Sequence, residues 1–132
     1  MLGSSPAFSS FAVDDLDAAR SFYGQTLGLT VQDVPIGGGL LMLDIAGSRG
    51  LMIYLKPDYA PATYTVLNFP VDDVDAAVDG LVAAGVTMER YEGFGQDDKG
   101  VARGDLGPPI AWFKDPAGNI LAVMEQPAEP IT

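Results

Sequence analysis

Histidine and cysteine are both missing from this chain. Their absence removes imidazole bases, thiolate nucleophiles, disulfides and thiolate metal sites together, so neither a Ser/Cys triad nor a facial-triad iron centre can be assembled. Basic residues are scarce as well: seven stand against 18 acidic ones, a net charge of −11. Phosphate backbones are repelled by a surface of that sign, which argues against nucleic acid as a partner and would draw in a cationic ligand. An acidic surface also serves plain solubility. Hydrophobic residues make up 48 % of the 132 but never run long enough to cross a bilayer. Met1-Leu2-Gly3-Ser4-Ser5-Pro6 lacks the basic and apolar character of a secretory signal, so a cytoplasmic protein with no membrane partner is expected. The glycine clusters at 37–39 and between Gly93 and Gly107 neither open helices nor carry a phosphate-loop lysine pattern, which argues against nucleotide binding.

What the chain does have is one pattern used twice. Val13-Asp14-Asp15-Leu16-Asp17-Ala18-Ala19 returns as Val71-Asp72-Asp73-Val74-Asp75-Ala76-Ala77, and such a repeat implies two copies of one supersecondary unit. In each copy an apolar run ends at the valine and a carboxylate caps a helix. Asp14 and Asp72 are the expected caps, with Asp17 and Asp75 at the third helical position. Leu16, Ala19, Phe22, Tyr23 and Leu27 form the first buried stripe; Val74, Ala77, Val78 and Leu81 form the second. Gly28 and Gly85 end the helices. The acidic cluster is read as capping that complements the helix dipole rather than as a metal or phosphate feature.

The expected order in the first copy is a strand over 7–13, the helix, and strands over 29–34, 40–45 and 49–55, with a turn at 46–48. In the first strand Phe8, Ser10 and Ala12 share one face. A proline-bearing linker, 56–62, leads to the second copy: a strand over 63–71, a helix over 74–84 and a strand over 87–91. The segment 92–109 is irregular, and loops of that length are commonly functional or mobile. A hairpin, 110–114 with 120–125, turns at Asp115-Pro116-Ala117-Gly118-Asn119, where Pro116 presets φ and Gly118 permits a positive φ. The tail from Gln126 is expected to fray.

The duplicated starts, Phe22-Tyr23 before Leu27-Gly28-Leu29, and Asp115-Pro116-Ala117-Gly118-Asn119 before the last strand together resemble the vicinal oxygen chelate superfamily, which includes glyoxalase I, extradiol dioxygenases and bleomycin resistance proteins. The resemblance covers roughly residues 7–126. It implies an α+β fold in which two βαβββ modules, about 7–57 and 63–126, form curled mixed sheets around a cup within one domain. It also implies a divalent metal held by one His, Glu or Gln from four strands. Carried onto this chain, those positions fall on Phe8, Tyr54, Val66 and Ala122, of which only Tyr54 carries a side-chain oxygen. Asp44, Asp58 and Glu125 are the nearest carboxylates for an all-oxygen Mg²⁺ or Mn²⁺ site and are as easily explained as solvent-facing residues. No metal, cofactor or catalytic residue is therefore expected, and a lactoylglutathione-lyase-type reaction is not anticipated.

If Phe8, Tyr54, Val66 and Ala122 point into the cup, period-2 alternation sends Ser10, Met52, Asn68 and Met124 the same way, and Trp112 joins them because Phe113 faces the helix layer. These nine residues form the expected ligand site, apolar and aromatic, with the Tyr54 and Ser10 hydroxyls, the Asn68 amide and the Trp112 N–H as polar handles. The leading expectation is a metal-free protein that binds or sequesters an unknown small molecule, planar or partly apolar, as in the resistance branch of the family. Two alternatives stay open: a lyase, isomerase or dioxygenase with atypical ligands, and a structural module whose cup is filled by core. Lys99 and Arg103 either close the long loop over an anionic ligand or are ordinary solvated charge. The resemblance also implies a homodimer, with the linker at 56–62 as a hinge for module exchange.

Overall fold

The computed structural model describes residues 1–37, 39–46, 50–104 and 107–126. The chain divides into two units, Met1–Pro61 and Ala62–Thr132. Part of the turn expected at 46–48, the Arg49 start of the expected fourth strand and the tail beyond Gln126 lie outside the described residues.

The first unit runs β1 (Ser9–Val13), α1 (Leu16–Ser21), a π-helical turn (Phe22–Thr26), β2 (Thr30–Val34), β3 (Leu40–Asp44) and β4 (Leu51–Leu55). Its sheet has the order β1-β4-β3-β2, with β1 parallel to β4 and the other neighbours antiparallel. Alternation along the strands buries Phe11, Val13, Leu41, Leu43, Leu51 and Ile53, and Ala19 and Tyr23 are buried with them. Each fully buried aliphatic side chain of this kind contributes about 1.5–3 kcal/mol, which makes this row the main source of the unit's cohesion.

The helix starts one residue later than the repeat suggests. Asp15, extended at φ −152°, accepts a hydrogen bond from the Ala18 amide at 3.0 Å, so Asp15 and not Asp14 is the N-cap. The helix then widens: the Leu27 amide reaches back to the Phe22 carbonyl, a five-residue step at 2.9 Å. An apolar stripe cannot distinguish this π turn from α-helix, because the extra residue is absorbed without changing which side chains are apolar. Tyr23 emerges fully buried, edge-on to Phe22 with ring centroids 5.1 Å apart. Gly28 ends the segment at φ 76°.

The second unit runs β5 (Thr65–Val71), α2 (Val74–Ala83), β6 (Ile110–Lys114) and β7 (Ile120–Glu125). Its three strands are ordered β5-β7-β6, β5 parallel to β7 and β6 antiparallel to it. With two helices and two mixed sheets, of four and three strands, the fold class is α+β. Asp73, not Asp72, caps α2 by accepting from the Ala76 amide at 3.1 Å. Asp72 instead accepts from the Gln126 side chain at 2.8 Å, and Glu125 accepts from the Val74 amide at 3.3 Å. At the other end the Val86 amide bonds to the Leu81 carbonyl and the Gly85 amide to the Val82 carbonyl, the paired closure that a glycine at φ 94° permits.

The strand expected over 87–91 is reduced to one bridge, Met88 with Phe113. The reason is a side chain that takes over the role of a neighbouring strand. Gln96 accepts from the Tyr91 amide at 2.7 Å and donates to the carbonyls of Glu89 and Gly100 at 2.9 and 2.7 Å. Backbone groups that a ladder would have paired are thereby satisfied locally.

Candidate functional site

The strand register of the second unit sets two faces. Ala111, Phe113, Leu121 and Val123 are buried, on the rows Phe113–Leu121–Leu67 and Ala111–Val123–Phe69, and α2 packs against β6 and β7. The opposite rows are Trp112–Ala122–Asn68, Ile110–Met124–Pro70 and Lys114–Ile120–Thr65. Trp112 is therefore the large aromatic side chain on the open face.

The segment after Met88 runs beside β6, where the Glu89 amide donates to the Trp112 carbonyl at 2.8 Å, and then brings two more rings to that face. Tyr91 stands edge-on to Trp112 at 5.5 Å and 81°, and Phe94 lies over Trp112 at 5.1 Å with planes inclined by 32°. Tyr91 and Phe94 are themselves 5.9 Å apart, so the three rings form one mutually touching cluster. Two recesses open on it. One, about 200 Å³, is bounded by Phe94, Ala102, Pro108, Ile110 and Trp112. The other, about 380 Å³, is bounded by Tyr64, Thr65, Tyr91, Phe94, Trp112 and Ile120. Phe94 and Trp112 are thus a wall with a hollow on either side.

Polar groups in this cleft are few. The Tyr91 hydroxyl is buried and has no hydrogen-bond partner among the described residues. Burial, followed by the charge of Glu89, pushes its phenol above the ordinary tyrosine value. All four cations of the unit are engaged. Arg90 donates to the carbonyls of Asp97 and Asp98; Lys99 pairs with Asp79 at 3.0 Å, Arg103 with Asp75 at 2.7 Å and Asp97 at 3.0 Å, and Lys114 with Glu89 at 3.6 Å. Lys99 and Arg103 accordingly neither reach over a ligand nor stand as lone solvated charges; both strap the loop to α2.

The nine residues expected to line a ligand site divide between the units. In the first, Ser10 pairs with Met52 and Met52 with Met42, while Tyr54 lies between Ala12 and Leu40, so Ser10, Met52 and Tyr54 share the face opposite the buried row. Phe8 precedes β1 and is 58 % exposed, outside the strand that was to aim it. In the second unit Trp112, Ala122 and Asn68 form one cross-strand row, with Met124 in the next. Val66 departs from the expected alternation: the register shifts between Thr65 and Leu67, Val66 is the bulged residue, and Thr65 stands opposite Ile120 in its place. Asn68 is exposed, so its amide has no desolvation cost to recover. Phe94 was missed because it sits in the irregular segment, and Tyr91 because it was read as the end of a strand over 87–91. Two aromatic residues three apart in a stretch, 89–100, otherwise made of glycine and charged or amide side chains were the available signal.

A divalent metal does not fit the donor set. Phe8, Val66 and Ala122 carry no donor atom, and Ala122 is fully buried. The nearest carboxylates are dispersed or occupied: Asp44 ends β3, Asp58 pairs with Lys56 at 2.6 Å, and Glu125 serves α2. No group of three potential ligands occurs among the described residues. Also among the described residues, no helix is long and apolar enough to cross a membrane.

Comparison with known proteins places this geometry. Curated proteins give no match. Among solved structures, a glyoxalase/bleomycin resistance protein from Streptomyces sp. CB03234 is 26 % identical over 89 % of this chain and 96 % of its own, with a TM-score of 0.62. An antibiotic binding protein from the same organism is 24 % identical over 92 % and 96 %, TM-score 0.65. A superfamily member from Sphaerobacter thermophilus DSM 20745 is 22 % identical over 91 % and 97 %, TM-score 0.70. The last two likenesses bear on fold alone. The family model described as Glyoxalase/Bleomycin resistance protein/Dioxygenase superfamily matches residues 7–123, and the chain belongs to that superfamily.

Proposed function

We propose that this protein binds a planar aromatic small molecule without metal and without turning it over, in the manner of a sequestering or resistance protein. The observation that carries the reading is the Phe94–Trp112 wall with an apolar recess on each side. Aromatic faces attract flat π-systems and offer nothing to a hydrolytic or redox reaction. Membership of a superfamily that includes bleomycin resistance proteins is in keeping with a small-molecule ligand.

Charge narrows the ligand class. Residues 62–132 hold 12 of the 18 acidic side chains and four of the seven basic ones, and those four are all engaged. An anionic ligand would find no unengaged cation there, so the ligand is neutral or cationic. Within the second unit, Asn68 and Met124 remain part of the proposed binding surface, with Trp112 as its anchor. A cytoplasmic homodimer is the form in which we expect it to act.

The test is a thermal-shift series with planar aromatic compounds on protein purified without chelator, alongside elemental analysis. A melting temperature that rises with ligand concentration, with sub-stoichiometric Mn, Fe, Ni and Zn, is the expected result. Stoichiometric metal, or no stabilisation by any planar compound, contradicts the proposal.

A further inference from the structure

The wall between the two recesses is too tight to be the bound state. A flat ring stacked on both Phe94 and Trp112 needs about 3.5 Å on each side, or about 7 Å between the two faces, whereas the ring centroids lie 5.1 Å apart. One ring has to move by about 2 Å. Trp112 is fixed in the middle of β6, but Phe94 is 41 % exposed and sits between Gly93 at φ 86° and Gly95 at φ 60°. A Cβ at either glycine would meet nothing within 4 Å, so the glycines are required there by backbone conformation and not by space.

The ends of this tip are pinned while the tip is not. Gln96 holds the Tyr91 amide at 2.7 Å, and Arg90 holds the Asp97 carbonyl at 2.6 Å. Residues 92–95 are left as a short flap on a rigid base. Tyr91, against which Phe94 packs, carries a buried hydroxyl with no partner among the described residues, a costly arrangement that an incoming polar group relieves.

We propose that Phe94 is a swinging ring, and that the ligand enters by displacing it from Trp112, is held between the two, and gives the Tyr91 hydroxyl its hydrogen-bond partner. This rests on the aromatic cleft being the ligand site. It refines the ligand class to a planar aromatic bearing a hydrogen-bonding substituent in the plane of its rings. Phe94 and Tyr91 are then specificity-determining residues, and the unliganded cleft is a closed state whose opening lowers the apparent affinity.

Trp112 is the single tryptophan, so its fluorescence reports this site alone. Proflavine, a planar cation with two amino groups in the ring plane, is the probe. Wild-type protein should show saturable quenching. Phe94→Ala, which loses one stacking face, should weaken binding about tenfold. The double variant Gly93→Ala/Gly95→Ala places L-residues at positive φ and so disfavours the closed tip; proflavine association should accelerate about tenfold, and acrylamide should quench Trp112 more in the absence of probe. Tyr91→Phe should weaken proflavine binding severalfold. Circular dichroism of each variant reports retention of fold. If wild-type Trp112 is not quenched, the aromatic-ligand reading itself fails. If wild type binds and the folded variants match it in rate and affinity, the cleft stands as a site and the swinging ring is wrong.

Discussion

Arg103 places its Nη2 2.7 Å from both carboxylate oxygens of Asp75, and its Nε donates to Asp97 at 3.0 Å. This ties the segment that carries the aromatic tip to the first turn of α2. Asp97 is the hub, because it also accepts from the Val101 and Lys99 amides at 3.0 and 2.9 Å. The Val101 amide first, then Arg103 and Lys99, hold its carboxyl below the ordinary value of 3.8 against the opposing effect of desolvation.

A lowered pKa in the folded state means that the unfolded chain takes up the proton first. The stability Asp97 contributes is therefore complete above about pH 4 and is lost as pH falls through the depressed folded value. Melting temperatures of wild type and Asp97→Asn from pH 6 down to pH 3 should converge as the pH drops. A gap that is constant over that range would show that the Asp97 charge is not what secures the loop.

The Asp115 carboxylate organises the β6–β7 turn from inside the protein. It is 5 % exposed and accepts from the Ala117 and Asn119 amides at 3.0 and 2.8 Å and from the Asn119 side chain at 3.0 Å. Asp115→Ala leaves these donors buried without an acceptor and should cost about 3 kcal/mol in denaturant-derived stability. A loss under about 1 kcal/mol would mean the turn is held by Pro116 and Gly118 alone.

Tyr91→Phe should act in opposite directions on stability and on binding. Removing a hydroxyl that is buried without a partner should raise the stability of the unliganded protein by about 1 kcal/mol, read by urea unfolding. Loss of stability on this change would show that the hydroxyl is already satisfied.

Charge selectivity follows from the engaged cations. Acridine-9-carboxylate should bind at least about tenfold more weakly than proflavine at low salt, and the difference should shrink as ionic strength rises. Equal affinities would remove electrostatics from the account.

The repeat was legible because both copies obey local rules: cap, apolar stripe, terminal glycine. Even so, adjacent aspartates left the cap ambiguous by one residue, and Asp15 and Asp73 prevailed over Asp14 and Asp72. The hairpin at Asp115–Asn119 was legible to its boundaries, since Pro116 and Gly118 leave few conformations. The bulge at Val66 was not, because no residue type there demands one, and a single extra residue exchanges which side chain faces the cleft. The second strand expected in the second unit, over 87–91, was lost to Gln96, a substitution of side chain for backbone that no periodicity reveals. Of the candidate site, Trp112 was found by alternation. Tyr91 and Phe94 were hidden because their placement depends on Gly93, Gly95 and the Arg90 and Gln96 clamps acting together.

The most direct test is a crystal structure of the protein with proflavine. The acridine plane should lie against the Trp112 indole, with Phe94 displaced from its present 5.1 Å stacking and no metal ion in the site. Proflavine seated away from Trp112, or an ion coordinated beside it, would contradict this.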